Sequence, residues 1–396
     1  MSDRQGITEQ ANWLRSTRHD LHAHPELAFA EVRTAERVAR ELEAVGLEVA
    51  RGIGGTGVVT SIAGEPGTHA IGLRADMDAL PIEEANCFAH RSLSPGRFHG
   101  CGHDGHTVML LGAARYLARN RRFRGTVHLI FPPAEECAGG ARAMLDDGLL
   151  QRFPMSAIYG LHNSPLLPAG HFATRTGPML AAMQRFDIVV TGRGGHGAFP
   201  HLCNDPIVAA SELVQALQGI LSRRLDPTAT AVLTVSRMHA GDAYNVIPES
   251  ATLGGAIRYF DPAVGTRLRE EMQRMAAGIA AIHGVRVDLR FADDFYPPLV
   301  NSEPETRLAL TAAARVAVDV PVGADAPMVM GSEDFAWMLQ ALPGCYMTIG
   351  NGNGPGSCMV HDAHYDFNDE ILVLGVRYWV ELVEAALPLV AAGSSG

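Results

Sequence analysis

The segment FHGCGHDGHT, residues 98–107, combines one thiol, three imidazoles and one carboxylate with three glycines. It stands directly before an apolar run, residues 108–117, that has the character of a helix. The glycines let the backbone bend, so that Cys101 and His103 can face a single ion. A thiolate and a neutral imidazole are good ligands for zinc and other transition metals. The alternative is a loop whose polar side chains only cap the helix, but further donors near predicted strand ends favour a metal site.

Short apolar runs on both sides of this segment predict buried strands. They are residues 70–75, 126–131 and 157–161, and helix-like segments such as residues 105–120 lie between them. Strands that alternate with helices are typical of an α/β layer. We therefore predict an α/β fold with a mostly parallel sheet for this part of the chain.

Each of the three predicted strands is followed by acidic or imidazole side chains. Asp76 and Asp78 come after the first strand, Glu135 and Glu136 after the second, and His162 after the third. Open α/β sheets bind ligands in the crevice beyond the carboxyl ends of their strands. The sequence therefore predicts that these side chains converge on one crevice.

A different order of elements begins at about residue 185. The pattern predicts, in order, strand 186–191, helix 206–223, strands 229–238 and 251–260, helix 264–282 and strand 285–291. This β-α-β-β-α-β order is that of the ferredoxin-like α+β arrangement. We predict that residues 185–296 form an inserted domain and that residues 1–184 and 297–396 together form the other domain.

The composition is that of a globular protein with enough material for two domains. The chain has 396 residues, of which 47% are hydrophobic and 19% charged, and its formal net charge is -11. An acidic chain without long basic runs is not expected to bind nucleic acid. No apolar stretch approaches the roughly 18 residues of a membrane span, and the polar N-terminus lacks the apolar core of a signal peptide. We expect a cytoplasmic protein, in which six scattered cysteines do not form a disulfide framework.

Several motifs together resemble the amidohydrolase branch of the dinuclear-metal peptidases, which includes hippurate hydrolases, bacterial aminoacylases and plant auxin–amino acid conjugate hydrolases. Besides residues 98–107, they are LHAHPE (21–26), GLRADMDALP (72–81), PAEE (133–136), GLHN (160–163), GGHGA (194–198), NVIP (245–248), GSEDF (331–335), and His361 followed by YDFNDE (365–370). They occur in the order of that family from about residue 15 to about residue 375. This resemblance implies a catalytic metallopeptidase domain with an inserted ferredoxin-like lid.

The resemblance implies five metal ligands, namely Cys101, His103, Glu136, His162 and His361. Five ligands are too many for one open catalytic zinc, but they suit two divalent ions that share a bridging donor, here Cys101, and a bridging water. Zinc or manganese is the expected metal, with cobalt or nickel as alternatives. A buried hydrophobic thiol is the alternative role for Cys101.

Glu135 is implied as the general base, and an ordinary exposed acidic pair is the alternative interpretation of Glu135 and Glu136. Asp78 is expected to accept an N–H from a ligand imidazole and so to fix its orientation. Asp76 could equally form a structural salt bridge with Arg74 or Arg18. Supporting roles are expected for four further histidines, His22, His24, His99 and His106, and Glu333 and Asp334 are interpreted as helix caps or as part of the pocket wall.

The inserted domain is expected to contribute three residues. His196 would stabilise the oxyanion, in its own active site or in that of a partner subunit. Asn245 and Arg258 would hold the carboxylate of the substrate, to which arginine can bind with two hydrogen bonds. Arg258 could instead be an exposed strand charge. The resemblance also implies a homodimer, or a tetramer, formed through the inserted domain.

The predicted activity is metal-dependent hydrolysis of the amide bond of N-acyl amino acids, such as hippurate or N-acetyl amino acids. Glu135 would take a proton from the metal-bridging water, and the resulting hydroxide would attack the amide carbonyl. Two alternatives remain at this point. One is a dipeptidase or carboxypeptidase of the same family, and the other is a non-catalytic protein that binds amino-acid derivatives and uses metal as structural support.

Overall fold

The structure is a computed structural model that describes residues 5–136, 139–317, 322–352, 354 and 357–389. The chain separates into two compact units. The first comprises the chain up to Met179, Val300–Pro327 and the chain from Glu333 onward, and the second comprises Leu180–Leu299 and Met328–Ser332. The assignment of residues 185–296 to a lid and of the rest to catalysis stays a prediction.

The helices of the described residues are α1 Gln5–Thr8, α2 Ala11–Ala23, α3 Val32–Glu43, α4 His103–Arg119, α5 Gly140–Asp146, α6 Leu149–Arg152, α7 Pro206–Arg223, α8 Pro262–His283, α9 Glu303–Val316, α10 Phe335–Ala341 and α11 Leu372–Ala386. The strands are β1 Val49–Ile53, β2 Gly57–Ala63, β3 Glu65–Arg74, β4 Arg124–Phe131, β5 Ala157–Ser164, β6 Phe172–Ala173, β7 Gly177–Leu180, β8 Ala182–Thr191, β9 Gly195–His196, β10 Ala231–Ala240, β11 Val246–Ile247, β12 Ser250–Tyr259, β13 Arg286–Tyr296, β14 Leu299–Asn301 and β15 Gly344–Gly350. Short 3-10 turns occur at Pro200–Leu202 and Asp369–Ile371.

The main sheet of the first unit has the strand order β1-β2-β4-β3-β5-β15-β6. Its centre is parallel, since β3 pairs in parallel with β4 and β5, and β15 pairs in parallel with β5. Its edges are antiparallel, at β1–β2, β2–β4 and β15–β6. The predicted α/β class is confirmed, and the sheet, which was expected to be mostly parallel, is mixed. The hairpin of β1 and β2, which closes with Ile53 opposite Gly57, explains one edge, because a connection this short allows only antiparallel pairing.

Helix α4 is buried along most of its length and packs against α2 and α11. A side chain at Gly105 would place its Cβ 2.4 Å from the ring of Phe367, so only glycine permits this approach. Leu110 and Leu111 lie in the core, where full burial of a leucine side chain stabilises a fold by roughly 1.5–3 kcal/mol. The first turn of α4, which carries His103, is therefore held by core packing.

The second unit has the predicted β-α-β-β-α-β order, β8-α7-β10-β12-α8-β13, in an antiparallel sheet with strand order β10-β12-β8-β13. Alternate residues of β8 are buried, so one face of the sheet packs on a core that α7 and α8 share. Both helices begin with the same signal. Asp205 and Asp261 cap them by accepting backbone N–H groups, and proline follows each cap.

The cysteines within the described residues are free thiols. They are Cys87, Cys101, Cys203, Cys345 and Cys358. Cys137 lies outside the described residues, as does the neighbouring Ala138.

Candidate metal centre

The candidate ligands lie at one edge of the parallel part of the main sheet. Strand β3 ends at Arg74, two residues before Asp76, and β4 ends at Phe131, shortly before Glu135 and Glu136. Strand β5 carries His162 near its own carboxyl end. Because β4, β3 and β5 are adjacent and parallel, these side chains reach the same crevice.

The segment 98–107 brings its own donors to this edge through a sharp turn into α4. Gly102 precedes the helix in a left-handed conformation with φ of 88°, which an L side chain rarely adopts. A Cβ at this position would lie 2.5 Å from Nδ2 of Asn163. Only glycine therefore allows the turn that places Cys101 and His103 beside β5.

The five predicted ligands are brought together. Sγ of Cys101 is 3.5 Å from Nε2 of His162. Oε1 of Glu136 is 3.3 Å from Nε2 of His361 and 3.9 Å from Nε2 of His103. The ligand atoms of Cys101, Glu136 and His361 all lie within 4.8 Å of one another.

Two of the imidazoles are oriented by backbone carbonyls. Nδ1 of His103 is 2.9 Å from the carbonyl oxygen of Asp78 and 3.2 Å from its Oδ1. Nδ1 of His162 is 2.6 Å from the carbonyl oxygen of Asn163. With Nδ1 as the donor in each ring, both Nε2 atoms are left to face the cluster.

Two atoms of the proposed ligands are buried and lack a hydrogen-bond partner within the part of the chain that the structure describes. Nε2 of His103 and Oε1 of Glu136 are buried without a hydrogen bond. A buried polar group without a partner is destabilising by about 1–3 kcal/mol. A cation would supply the missing interactions, and the mixture of thiol, imidazole and carboxylate is one that binds zinc and related ions. The donor set therefore fits divalent metal ions.

The electrostatics of the centre agree with this fit. Burial lowers the pKa of His103, but the surrounding carboxylates, chiefly Asp76 and Asp78, outweigh it and raise that pKa to about 10. Burial and the nearby carboxylates also hold the pKa of the Cys101 thiol well above its usual value. Surroundings this negative would equally stabilise a bound divalent cation in place of the proton.

His106 lies close to these ligands but has both ring nitrogens engaged. Its Nδ1 is 2.7 Å from Oδ1 of Asp76, and its Nε2 accepts the backbone N–H of Asn163 at 2.9 Å. Oδ2 of Asp76 accepts a hydrogen bond from Nη1 of Arg74 at 2.6 Å. Of the two salt bridges considered for Asp76, the structure contains the one with Arg74.

Glu135 is buried beside Glu333 and Asp334, with which it forms a second acidic cluster. From the sequence, Glu333 and Asp334 were expected only as helix caps or pocket wall. One carboxylate oxygen each of Glu135, Glu333 and Asp334 lie within 4.8 Å of one another. Burial, the charge of Glu333 and then the charges of Glu136 and Asp334 raise the pKa of Glu135 well above its usual value, against the opposing effect of Arg74. Glu135 is thus not part of an exposed acidic pair, and its surroundings favour uptake of a proton.

Arg74 binds this cluster and was not assigned a role in it from the sequence. Nη2 of Arg74 donates to Oε1 of Glu333 and to Oδ1 of Asp334, both at 2.7 Å. Tyr346 donates its hydroxyl to Oε2 of Glu333 at 2.7 Å. Glu333 also accepts the N–H of Phe335 at the start of α10, so both interpretations of this carboxylate, cap and site wall, fit its contacts.

The predicted residues of the second unit lie on two of its elements. His196 is on β9, where it pairs with Val246 of β11, and the N–H of Gly197 donates to the carbonyl of Asn245 at 2.8 Å. The β9–β11 ribbon therefore holds His196 and Asn245 close together, and both are exposed. Arg258 on β12 is half-buried and donates from Nη1 to the carbonyl oxygen of Met330 at 2.5 Å, so it is not simply an exposed strand charge.

A sequence model of Peptidase family M20/M25/M40 matches residues 72–385. The chain belongs to this family. The resemblance inferred from the motifs is therefore confirmed. Among the described helices of this family member, none combines the length and the apolar character that a membrane span requires.

Relatives of this M20/M25/M40 chain cover nearly its whole length. The hippurate hydrolase of Campylobacter jejuni is 37% identical over 365 residues, which are 92% of this chain and 94% of that protein. An N-acetylcysteine deacetylase of Bacillus subtilis is 37% identical over 376 residues, 94% of this chain and 97% of that protein. Thermostable carboxypeptidase 2 of Saccharolobus solfataricus is 36% identical over 375 residues, 93% of this chain and 94% of that protein.

A crystal structure of the Bacillus subtilis YXEP protein, described as a dinuclear metal binding peptidase of the M20 family, is similar to the fold of this chain. The TM-score is 0.83 and the identity 34%, and the similarity covers 96% of this chain and 99% of that chain. This likeness and the donor set are consistent with two divalent ions in the M20 centre described above.

Proposed function

We propose that this protein hydrolyses the amide bond of N-acyl amino acids in a metal-dependent reaction, releasing a carboxylic acid and a free amino acid. The observation that carries the proposal is the position of Glu135, a buried carboxyl with a raised pKa directly beside a converging set of candidate metal ligands. A structural metal site is closed by four ligands and needs no base. The names of the hippurate hydrolase and the N-acetylcysteine deacetylase support the substrate class.

Cys101, His103, Glu136, His162 and His361 would hold two divalent ions, with the thiolate of Cys101 as the shared donor. When bound, such ions supply Lewis acidity, which lowers the pKa of a coordinated water and polarises the amide carbonyl. Zinc or manganese is the proposed metal, with cobalt and nickel as further candidates. Asp78 would keep the Nε2 of His103 directed at the ions, because it accepts the proton of the opposite ring nitrogen.

Glu135 would act twice in the reaction. It accepts one proton from the attacking water as the water oxygen forms a bond with the amide carbon. It then delivers that proton to the leaving nitrogen as the C–N bond breaks. The oxygen and one hydrogen of the water remain with the acyl product, and the amino acid leaves as the free amine.

The second unit would supply contacts to the substrate. His196 would donate a hydrogen bond to the developing oxyanion, and Asn245 and Arg258 would bind the carboxylate of the amino-acid part. The ribbon contact between Gly197 and Asn245 supports a joint role, because it couples the positions of His196 and Asn245. We propose further that residues 185–296 act as a lid and as the surface of a homodimer.

A carboxypeptidase activity is the second candidate, favoured by the 36% identity to Thermostable carboxypeptidase 2. Both reactions cleave an amide beside a free carboxylate, so they differ in what precedes the bond. A panel of hippurate, N-acetyl amino acids, N-blocked peptides and free dipeptides distinguishes them. The protein is first stripped with a chelator and then re-supplied separately with zinc, manganese, cobalt or nickel.

We expect activity on the acyl amino acids that disappears on chelation and returns with metal. Higher kcat/KM on blocked peptides than on hippurate and N-acetyl amino acids would replace the proposal with the carboxypeptidase. No turnover of any substrate by protein that holds two metal ions would contradict both.

A further inference from the structure

The turn that follows β4 has an unusual backbone at the residue before Glu135. Ala134 has a φ of 53°, in the left-handed region that a residue with a Cβ rarely occupies. Such a conformation persists only when its surroundings hold it. Successive side chains of a regular strand point to opposite faces, so a break of this kind is needed for Glu135 and Glu136 to serve one site.

Two carboxylates hold this turn through its backbone N–H groups. Oε1 of Glu31 accepts the N–H of Ala134 at 2.9 Å, and Oδ2 of Asp78 accepts the N–H of Glu136 at 3.0 Å. Asp78 also orients His103, so it supports a proposed ligand directly. Glu31 lies 103 residues before Ala134, and its side chain makes no hydrogen bond to a proposed ligand among the described residues.

Glu31 is completely buried, and its two carboxylate oxygens accept hydrogen bonds from different groups. Oε1 also accepts the N–H of Phe29 at 3.0 Å, while Oε2 accepts the hydroxyl of Thr56 at 2.6 Å. Phe29 has a φ of 59°. Among the described residues, the non-glycine residues with positive φ are Phe29, Ala134 and His361. A single oxygen of Glu31 thus binds the N–H groups of two of these three residues.

We propose that Glu31 is a positioning residue for hydrolysis, which holds Ala134 in the left-handed conformation and thereby aims Glu135 at the water. The inference rests on the role proposed for Glu135. Burial of a carboxylate whose partners are backbone N–H groups from two separate loops fits this task better than it fits capping, since Glu31 makes no side-chain cap bond to α3. Displacement of a catalytic group by about 1 Å can lower the rate by about a hundredfold.

The arrangement predicts that the acceptor oxygen matters and the negative charge does not. In Glu31→Gln, the amide oxygen can take the place of Oε1 and accept both backbone N–H groups. The amide nitrogen can then donate to Thr56, whose hydroxyl is able to accept as well as donate. Glu31→Leu keeps a similar volume but leaves both N–H groups without an acceptor.

The test compares kcat and KM for hydrolysis of hippurate, or of the best substrate from the panel, by the metal-loaded wild-type protein and these variants. We expect kcat of Glu31→Leu to fall about tenfold to a hundredfold, with KM within about threefold of wild type and metal content unchanged. Glu31→Gln should keep kcat within about threefold of wild type.

Glu26→Leu is the matched control. The Glu26 carboxylate likewise accepts three hydrogen bonds, from the N–H groups of Arg33 and Thr34 and the hydroxyl of Thr34, but none from the turn at 132–136. Its loss should lower the melting temperature and leave kcat near wild type. If Glu31→Leu does not fold alone, it is compared in an Ala134→Gly background, because glycine adopts positive φ without strain.

Ala134→Gly also gives a second readout where the single variants fold. The effect of Glu31→Leu on kcat should be smaller in the Ala134→Gly background than in the wild-type background, because a glycine in this turn no longer needs to be held. An equal effect in both backgrounds would overturn the proposal. So would a kcat of Glu31→Leu no lower than that of Glu26→Leu, or a Glu31→Gln variant as slow as Glu31→Leu. If instead Glu135→Gln keeps full activity, the proposed function itself fails, which is a different result.

Discussion

Asp78 contacts His103 twice, through its carbonyl oxygen at 2.9 Å and through Oδ1 at 3.2 Å from Nδ1 of the ring. Its other carboxylate oxygen accepts the N–H of Glu136 at 3.0 Å. One residue that binds no metal in the proposed assignment therefore orients two of the proposed ligands. Removal of a carboxylate in such a position typically weakens metal binding by about 10–100-fold.

Asp78→Ala should therefore weaken metal binding by about 10–100-fold while leaving the two ligands themselves intact. Titration of the metal-free protein against a competing chelator measures the affinity, and activity at saturating metal should recover in part. Asp147→Ala is a suitable control, because Asp147 also accepts a backbone N–H, from Gly54, and is exposed. Equal metal affinities of Asp78→Ala and Asp147→Ala would show that Asp78 does not support the ligands.

His103 and His106 are one turn apart on α4, and substitution of each in turn tests the ligand assignment. Nε2 of His103 lacks a hydrogen bond among the described residues, whereas both nitrogens of His106 have partners. We predict that His103→Gln loses metal on dialysis and that His106→Gln keeps the wild-type metal content per chain. Elemental analysis of both purified variants decides this, and loss of an ion from His106→Gln alone would reverse the assignment.

The buried pair of His22 and Asp104 predicts a pH dependence of stability. Nδ1 of His22 is 2.8 Å from Oδ2 of Asp104, and Nε2 is 3.3 Å from Oε1 of Glu84. Burial lowers the pKa of His22, but Asp104 and then Glu84 outweigh it and raise that pKa to about 9. Because this lies above the unfolded value of about 6.5, the stabilisation is complete below about pH 6.5 and is lost as the pH rises through 9.

Wild type should accordingly have a higher free energy of unfolding than His22→Gln, and this difference should be largest near pH 6. The difference should shrink by on the order of 3 kcal/mol as the pH approaches 9.5. Urea denaturation of the two proteins at several pH values gives this difference directly, and other titrating groups largely cancel in it. A difference that stays constant from pH 6 to pH 9.5 would show that His22 carries no extra proton in the folded state.

The convergence of the candidate ligands at one edge of the sheet could be predicted because the strand pattern and the donor residues agreed in the sequence. The apolar runs at 70–75, 126–131 and 157–161 overlap β3, β4 and β5, although β5 continues through His162 to Ser164, and parallel neighbours bring their carboxyl ends to one edge. Helix α7 was also predictable to the residue, Pro206–Arg223, because Asp205 and Pro206 are a strong start signal. Local sequence patterns of this kind are sufficient to predict where these helices and strands lie.

Contacts between distant segments could not be predicted in this way. Arg74 binds Glu333 and Asp334 across about 260 residues, and no local pattern connects them. The left-handed backbone of Ala134 could not be predicted from the sequence either, since alanine, unlike glycine, does not indicate positive φ. The role inferred for Glu31 depends on that backbone and so requires the structure.

The most direct test of the account is the activity of Glu135→Gln with its metal content measured in the same sample. The amide is similar in size to the carboxyl but cannot accept a proton, and loss of a general base typically lowers the rate by about 10²–10⁴-fold. We predict a fall of kcat in this range on the best acyl amino acid, with the same metal content per chain as wild type. Near-normal hydrolysis by Glu135→Gln with its metal ions bound would contradict the account.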